Sequence, residues 1–237
     1  MMRKDTNLAP TYHPRKIAAH GSPEATAFLV NEAPGDCEAY YGLPSVASQG
    51  GNIYRALRDA RVQWALDLKE FRWPTKIQCE YVNPYGKKEV QQFIDRDDAL
   101  AVRARHITCT NAFDRWPSEG NKKFVPPENS LVCSAENMER LRGEATPNHQ
   151  VLLVCGKPAW LACHRTVLAD PDAKERTQLS DGELEAINRY LNTSFETAWY
   201  MGHTGRWNRK TNKYGLLPPV QEILKDIAKA AGWPLVG

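Results

Sequence analysis

Four short apolar runs, each closed by a polar turn, constrain the fold of this chain more than any other feature. They are residues 26–30 (TAFLV), 106–110 (HITCT), 151–155 (VLLVC) and 197–201 (TAWYM). Each is of strand length and too apolar to lie half exposed. Helical spacing follows or separates them. Ile53, Ala56, Leu57 and Ala60 predict a helix over about residues 51–60, and a second is expected over residues 134–142. Gly156-Lys157-Pro158 leads into a third with Ala159, Leu161, Ala162 and Leu168, since proline suits a first helical turn. Val220, Ile223, Leu224 and Ile227 mark one face of a terminal helix over residues 217–231. Strand, loop and helix repeated in this way predict an α/β fold: a central four-stranded parallel sheet flanked on both faces by helices.

At 237 residues and 42% hydrophobic content the chain can bury a full core, and a single domain over residues 23–237 is expected. Residues 1–22 read as a polar N-terminal arm, because Pro10, Pro14 and Gly21 interrupt any periodicity. Residues 62–100 carry Trp64, Leu66, Leu68, Phe71 and Trp73 between breakers at Pro74, Pro84 and Gly86, which suggests an inserted segment. Residues 114–129 read as a long polar loop. No stretch approaches the roughly 18 apolar residues of a membrane span, and the start of the chain lacks the apolar core of a secretory signal, so a cytoplasmic protein without membrane contact is expected. Six cysteines with no CxxC pair argue against a metal centre, and a net charge of +3 permits a polyanionic partner without requiring one.

The chemistry gathers where the strands end. In an open parallel sheet, ligands bind at the carboxyl edge. There the sequence places Glu32, Asp36 and Glu38 after the first run, Asn111 after the second and His203 after the fourth. Three carboxylates within seven residues of a Pro-Gly turn repel one another unless they meet a partner or a developing cation, although a solvated acidic turn is the plainer alternative. An asparagine offers one acceptor and two donors, enough to read the edge of a pyrimidine. A histidine can donate to a carbonyl oxygen that becomes anionic, and a carboxylate can stabilise an oxocarbenium-like sugar or orient water toward it. Together these groups suit cleavage of an N-glycosidic bond.

The order and wording of these segments resemble the uracil-DNA glycosylase superfamily, most nearly its family 4 branch. The family's first motif, of the form G-E-(A/G)-P-G-(E/D)-x-E-D followed by G-x-P-F-V-G-x-A-G, is matched in part by Asn31-Glu32-Ala33-Pro34-Gly35-Asp36-Cys37-Glu38, then by Gly42-Leu43-Pro44-Ser45-Val46-Ala47 and Gly50-Gly51. Thr110-Asn111 resembles the strand end that reads the base, and Gly202-His203-Thr204-Gly205-Arg206-Trp207 the late histidine motif. The resemblance runs from about residue 25 to 230. It implies catalytic roles for Glu32 or Asp36 and for His203. It implies base contacts from Asn111, Ser45, Ala33 and Gly35, with Tyr41 as a candidate stacking group. Two departures matter. Ser45 stands where relatives keep the phenylalanine that stacks on uracil, and the four iron–sulfur cysteines of family 4 are not matched, so no cofactor is expected.

The basic and aromatic stretch after His203 suits phosphate contact and a wedge into the base stack, with Arg206, Trp207, Arg209 and Lys210 as the DNA-binding set. The expected activity is that of a monomeric, monofunctional DNA glycosylase acting on a nucleotide flipped out of double- or single-stranded DNA. Loss of the stacking ring argues for a bulky 5-modified cytosine, as excised from glucosylated phage DNA by related defence enzymes. Uracil repair, a silent DNA-binding module on the same fold and a small-molecule nucleoside hydrolase are the alternatives.

Overall fold

The computed structural model describes residues 11–68, 77–82, 88–93, 97–118, 127–164, 177–202 and 218–237. In chain order the elements are β1 (Thr11–Lys16), β2 (Ala27–Asn31), α1 (Asp36–Tyr41), α2 (Ala47–Asp59), α3 (Gln63–Asp67), β3 (Ile77–Val82), β4 (Lys88–Phe93) and α4 (Asp97–His106). There follow β5 (Ile107–Asn111), β6 (Arg115–Ser118), α5 (Asn129–Val132), α6 (Ala135–Glu144), β7 (Val151–Cys155), α7 (Lys157–His164), β8 (Thr177–Gln178), α8 (Asp181–Leu191), β9 (Thr197–Met201) and α9 (Pro218–Ala230).

The four apolar runs form one sheet in the order β5-β2-β7-β9, all parallel. Alternation along each strand sends side chains to two separate cores. Ala27, Leu29, Ile107, Cys109, Leu153, Trp199 and Met201 pack with Ile53, Leu57, Leu224, Ile227 and Trp233, under α2 and α9. Phe28, Val30, Leu152, Val154, Ala198 and Tyr200 pack with Met138, Leu141, Trp160, Ile187 and Leu191, under α6, α7 and α8. Strands buried on both faces need continuous apolar sequence, which is why the four runs are legible.

The structure corrects several expectations. A fifth, two-residue strand, β8, adds antiparallel to β9, so the sheet is four parallel strands plus a short edge. α8 is absent from the sequence reading although its cues are strong: Glu183 accepts from the Ser180 N–H and O–H at 3.0 and 2.9 Å, and Asn192 closes the helix with φ 55°.

Residues 11–22, the described part of the expected polar arm, are knitted into the domain. β1 pairs antiparallel with β6, at the start of the expected 114–129 loop, and Ile17 is buried with its N–H on the Asp114 carbonyl. His20 bridges to Cys109, and Gly21 lies so close to Thr108 that an added Cβ would sit 2.5 Å from its Cα. Prolines and glycines interrupt helical or strand periodicity, but they do not prevent a ribbon or a close crossing. The expected insertion resolves into α3, the β3–β4 hairpin and α4. Within it, Phe71, Trp73, Pro74, Pro84 and Gly86 lie outside the described residues, as does Leu168 beyond α7. No helix among the described residues is long and apolar enough to cross a membrane.

Candidate active site

β2 and β5 run in register, so Asn31 and Asn111 stand side by side at the carboxyl edge of the sheet. The pairing continues past the strands: the Ala112 and Phe113 N–H groups donate to the Asn31 and Glu32 carbonyls at 2.7 and 3.2 Å. The two strand exits are therefore fixed relative to each other before any side chain is considered.

After Asn31 the chain turns through Ala33, Pro34 and Gly35 into the short helix α1. Glu38, three residues past Gly35, reaches back, and its Oε2 accepts from the Gly35 N–H at 2.8 Å. Its Oε1 accepts from the Ser45 N–H at 2.5 Å, which ties the start of α1 to the loop before α2. Gly42 ends α1 with φ 73°, and Ser45 holds φ 56°, a left-handed conformation that costs a non-glycine residue about 1–2 kcal/mol. The surroundings hold it there. The Ser45 Oγ accepts from the Asn31 Nδ2 at 2.6 Å, and its carbonyl accepts from the guanidinium of Arg103, on α4, at 2.5 Å. Arg103 is wholly buried and also reaches the Pro44 carbonyl at 3.2 Å.

Glu38 is thus a buried carboxyl with a cation near it. Burial raises its pKa to about 7, and the hydrogen bonds from Gly35 and Ser45, the nearby Asn111 carboxamide and the Arg103 charge offset this only in part. Its protonated form is therefore accessible near neutral pH. The sequence reading includes Glu38 in the acidic cluster but not among the site residues; the signal is its spacing three residues after the Pro-Gly turn.

The environment of Asn111 is split in two. Its backbone is clamped: Arg140 donates to the Asn111 carbonyl at 2.7 Å, and Asn137 donates to the Ala112 carbonyl at 2.6 Å. Arg140 is itself held by Glu144 at 2.7 Å, and Glu144 accepts from the Thr110 hydroxyl at 2.6 Å. The side chain is also wholly buried, yet neither its Oδ1 nor its Nδ2 has a hydrogen-bond partner. The carboxamide lies within reach of the Glu38 carboxyl and favours its ionised form as a weak hydrogen-bond donor does, without meeting the geometry of a full bond. An unsatisfied buried carboxamide costs of the order of 1–3 kcal/mol, and folded proteins tolerate such groups chiefly where function requires them.

Glu32 takes a different seat. A Cβ added to Gly156 would lie 2.2 Å from the Glu32 Oε1, so the carboxylate rests directly over the turn between β7 and α7. Gly156 has φ 95°, and its N–H donates to the Met201 carbonyl at 2.9 Å, tying that turn to the end of β9. A carboxylate is favourably placed at the N-terminal end of a helix.

The structure therefore brings Glu32, Ala33, Gly35, Ser45 and Asn111 to one edge of the sheet, together with Glu38, Asn31 and Arg103. Ala33 is buried, and Gly35 serves as the N-cap of α1. Ser45 is fully buried with its hydroxyl turned to Asn31, so it is part of the frame rather than an open wall. Tyr41 ends α1 at 38% exposure, facing solvent. Asp36 opens α1, and its side chain lies outside the described set. His203, Arg206, Trp207, Arg209 and Lys210 also lie outside the described residues; His203 follows the end of β9 by two positions in the sequence. Among the described residues no three His, Cys, Asp or Glu side chains gather as a metal site.

No protein-family model matches this chain, and no curated protein matches it.

Proposed function

We propose that this chain is a monofunctional DNA glycosylase that hydrolyses the N-glycosidic bond of a flipped-out pyrimidine. The observation that carries the reading is the Asn111 carboxamide, wholly buried without a full hydrogen bond on a rigidly clamped backbone beside Glu38, at the sheet edge that also carries Glu32. Such a group suits bidentate recognition of a base edge. The carboxamide is shut off from solvent here, so a base reaches it only as the surrounding loops part.

In the proposed reaction the C1′–N1 bond breaks with its electron pair leaving on the base. Glu32 faces the cationic sugar and orients water to C1′, and His203 donates to the base carbonyl as it gains charge. Water supplies the hydroxyl, its proton leaves, and an abasic site remains. The favoured substrate is a bulky 5-modified cytosine such as the glucosylated hydroxymethylcytosine of phage DNA, because position 45 offers no phenyl ring to stack on a plain uracil. Uracil is the second reading, since the Asn111 carboxamide turned end for end fits its edge equally well.

Incubation with glucosylated phage DNA and with uracil-containing DNA, followed by alkali, tests the proposal. Strand breaks in the glucosylated DNA support the favoured substrate, and breaks confined to uracil DNA support the second reading. Intact strands in both refute glycosylase activity.

A further inference from the structure

A base-reading asparagine has a built-in ambiguity. Uracil offers a donor at N3 and an acceptor at position 4; cytosine offers an acceptor at N3 and a donor at position 4. Turning one carboxamide end for end therefore converts a uracil reader into a cytosine reader. In most proteins a neighbouring hydrogen bond fixes the orientation. Here neither the Asn111 Oδ1 nor its Nδ2 makes a fully formed hydrogen bond, and the Glu38 carboxyl lies within reach of the carboxamide as a weak hydrogen-bond partner.

Resting on the glycosylase reading above, we propose that Glu38 is a positioning residue for base selection: its carboxyl decides which end of the Asn111 carboxamide faces the base. An ionised carboxylate attracts the Nδ2 end. A protonated carboxyl presents an O–H and attracts the Oδ1 end. Either oxygen keeps a lone pair for its backbone donor when the other is protonated, so the bonds to Gly35 and Ser45 survive both states.

The surroundings of Glu38 suit this role. The N–H groups of Gly35 and Ser45 hold its two oxygens from two segments, which fixes the carboxyl in place. Asn31, the neighbour of Asn111 across the strand pair, has its Nδ2 committed to Ser45 and does not compete through that donor. Arg103 from α4 is the charged group acting on Glu38 among the described residues. His20, before β2, is held toward its neutral form by burial and by that same arginine. Glu38 titrates near pH 7, so both carboxamide orientations fall within a physiological range.

The test follows the Asn111 side-chain NH2 resonance by NMR from about pH 5.5 to about pH 8.5, assigned by its loss in Asn111→Leu. In the wild type it should shift with a midpoint close to that of the Glu38 carboxyl, and the shift should vanish in Glu38→Gln. The ratio of single-turnover rates on modified-cytosine and uracil DNA should change by about tenfold across the same range, the size of one mispaired hydrogen bond, and stay flat in Glu38→Gln. An NH2 resonance that stays still while Glu38 titrates overturns the proposal, as does a rate ratio that is constant with pH. The wild-type titration decides the matter even if Glu38→Gln fails to fold. If neither DNA is cut, the glycosylase reading fails while the resonance still decides whether Glu38 positions Asn111.

Discussion

Replacing Asn111 with leucine should stabilise the protein while abolishing its activity. Leucine is close to asparagine in volume and carries no polar atoms. The wild-type carboxamide buries two polar atoms with no partner, and each unsatisfied group costs about 1–3 kcal/mol. The offsetting loss is the carboxamide's interaction with Glu38, which helps the ionised form. That loss is about 0.5–1.5 kcal/mol in either protonation state, less than the cost of the two unsatisfied atoms. The backbone contacts to Arg140 and Asn137 do not involve the side chain and remain. The net expectation is a gain of about 1–2 kcal/mol, or a rise in Tm of roughly 2–8 °C for a chain of this size. Thermal unfolding at about pH 6 and single-turnover cleavage together read both effects. A variant that loses more than about 1 kcal/mol would show that the carboxamide serves the fold, and the argument from its unpaired state would be refuted.

Gly156→Ala tests Glu32 without touching it: the new Cβ falls about 1.2 Å inside ordinary contact with the Glu32 Oε1, at a φ that already strains alanine, so cleavage should drop by about a hundredfold. A folded Gly156→Ala protein with wild-type single-turnover rates would remove Glu32 from the chemistry. His149 is held neutral down to about pH 4 by burial, donating to the Thr108 hydroxyl and accepting from the Thr146 N–H, so the unfolded chain takes up a proton that the folded one refuses. Stability from this group is complete above about pH 6.5 and declines by up to about 3 kcal/mol as the pH falls toward 4, whereas Glu38 acts with opposite sign and loses stability as the pH rises from about 4.5 to about 7. Urea unfolding of His149→Gln should accordingly show its stability gap to the wild type narrowing on acidification; a gap constant with pH would contradict it. Neutralising Arg206, Arg209 and Lys210 should weaken DNA binding alike for every sequence and reduce the salt slope by about 3, and an unchanged slope would exclude these three residues from the interface.

What the sequence revealed and what it hid follow from physics rather than from length of signal. Strands buried on both faces, such as Val151–Cys155, must be continuously apolar, so their positions are plain. β1, β6 and β8 are edge or ribbon strands with mixed sequence, and backbone pairing alone defines them. In the candidate site, the strand-end positions of Glu32 and Asn111 follow from topology, because a parallel sheet gathers its carboxyl ends. The roles of Glu38 and Arg103 do not. A buried carboxyl and a buried guanidinium look in sequence like the surface charges that such residues usually are. Only the packing of α4 behind the 44–46 segment separates the two cases. Ser45 shows the opposite error: a small residue where a ring is expected reads as open space, and it is a hydrogen-bonded part of the frame.

In the proposed reaction an intact pyrimidine base leaves DNA through the joint action of Asn111 and Glu32. Mass spectrometry of the small molecules released from glucosylated phage DNA and from uracil DNA tests it most directly, with Glu32→Gln in parallel. The wild type should release a free modified cytosine base and leave an abasic site of matching amount in the DNA, and Glu32→Gln should release it slower by orders of magnitude with DNA binding retained. Release of a nucleotide instead of a free base, no release from either DNA, or equal release by wild type and Glu32→Gln would contradict it.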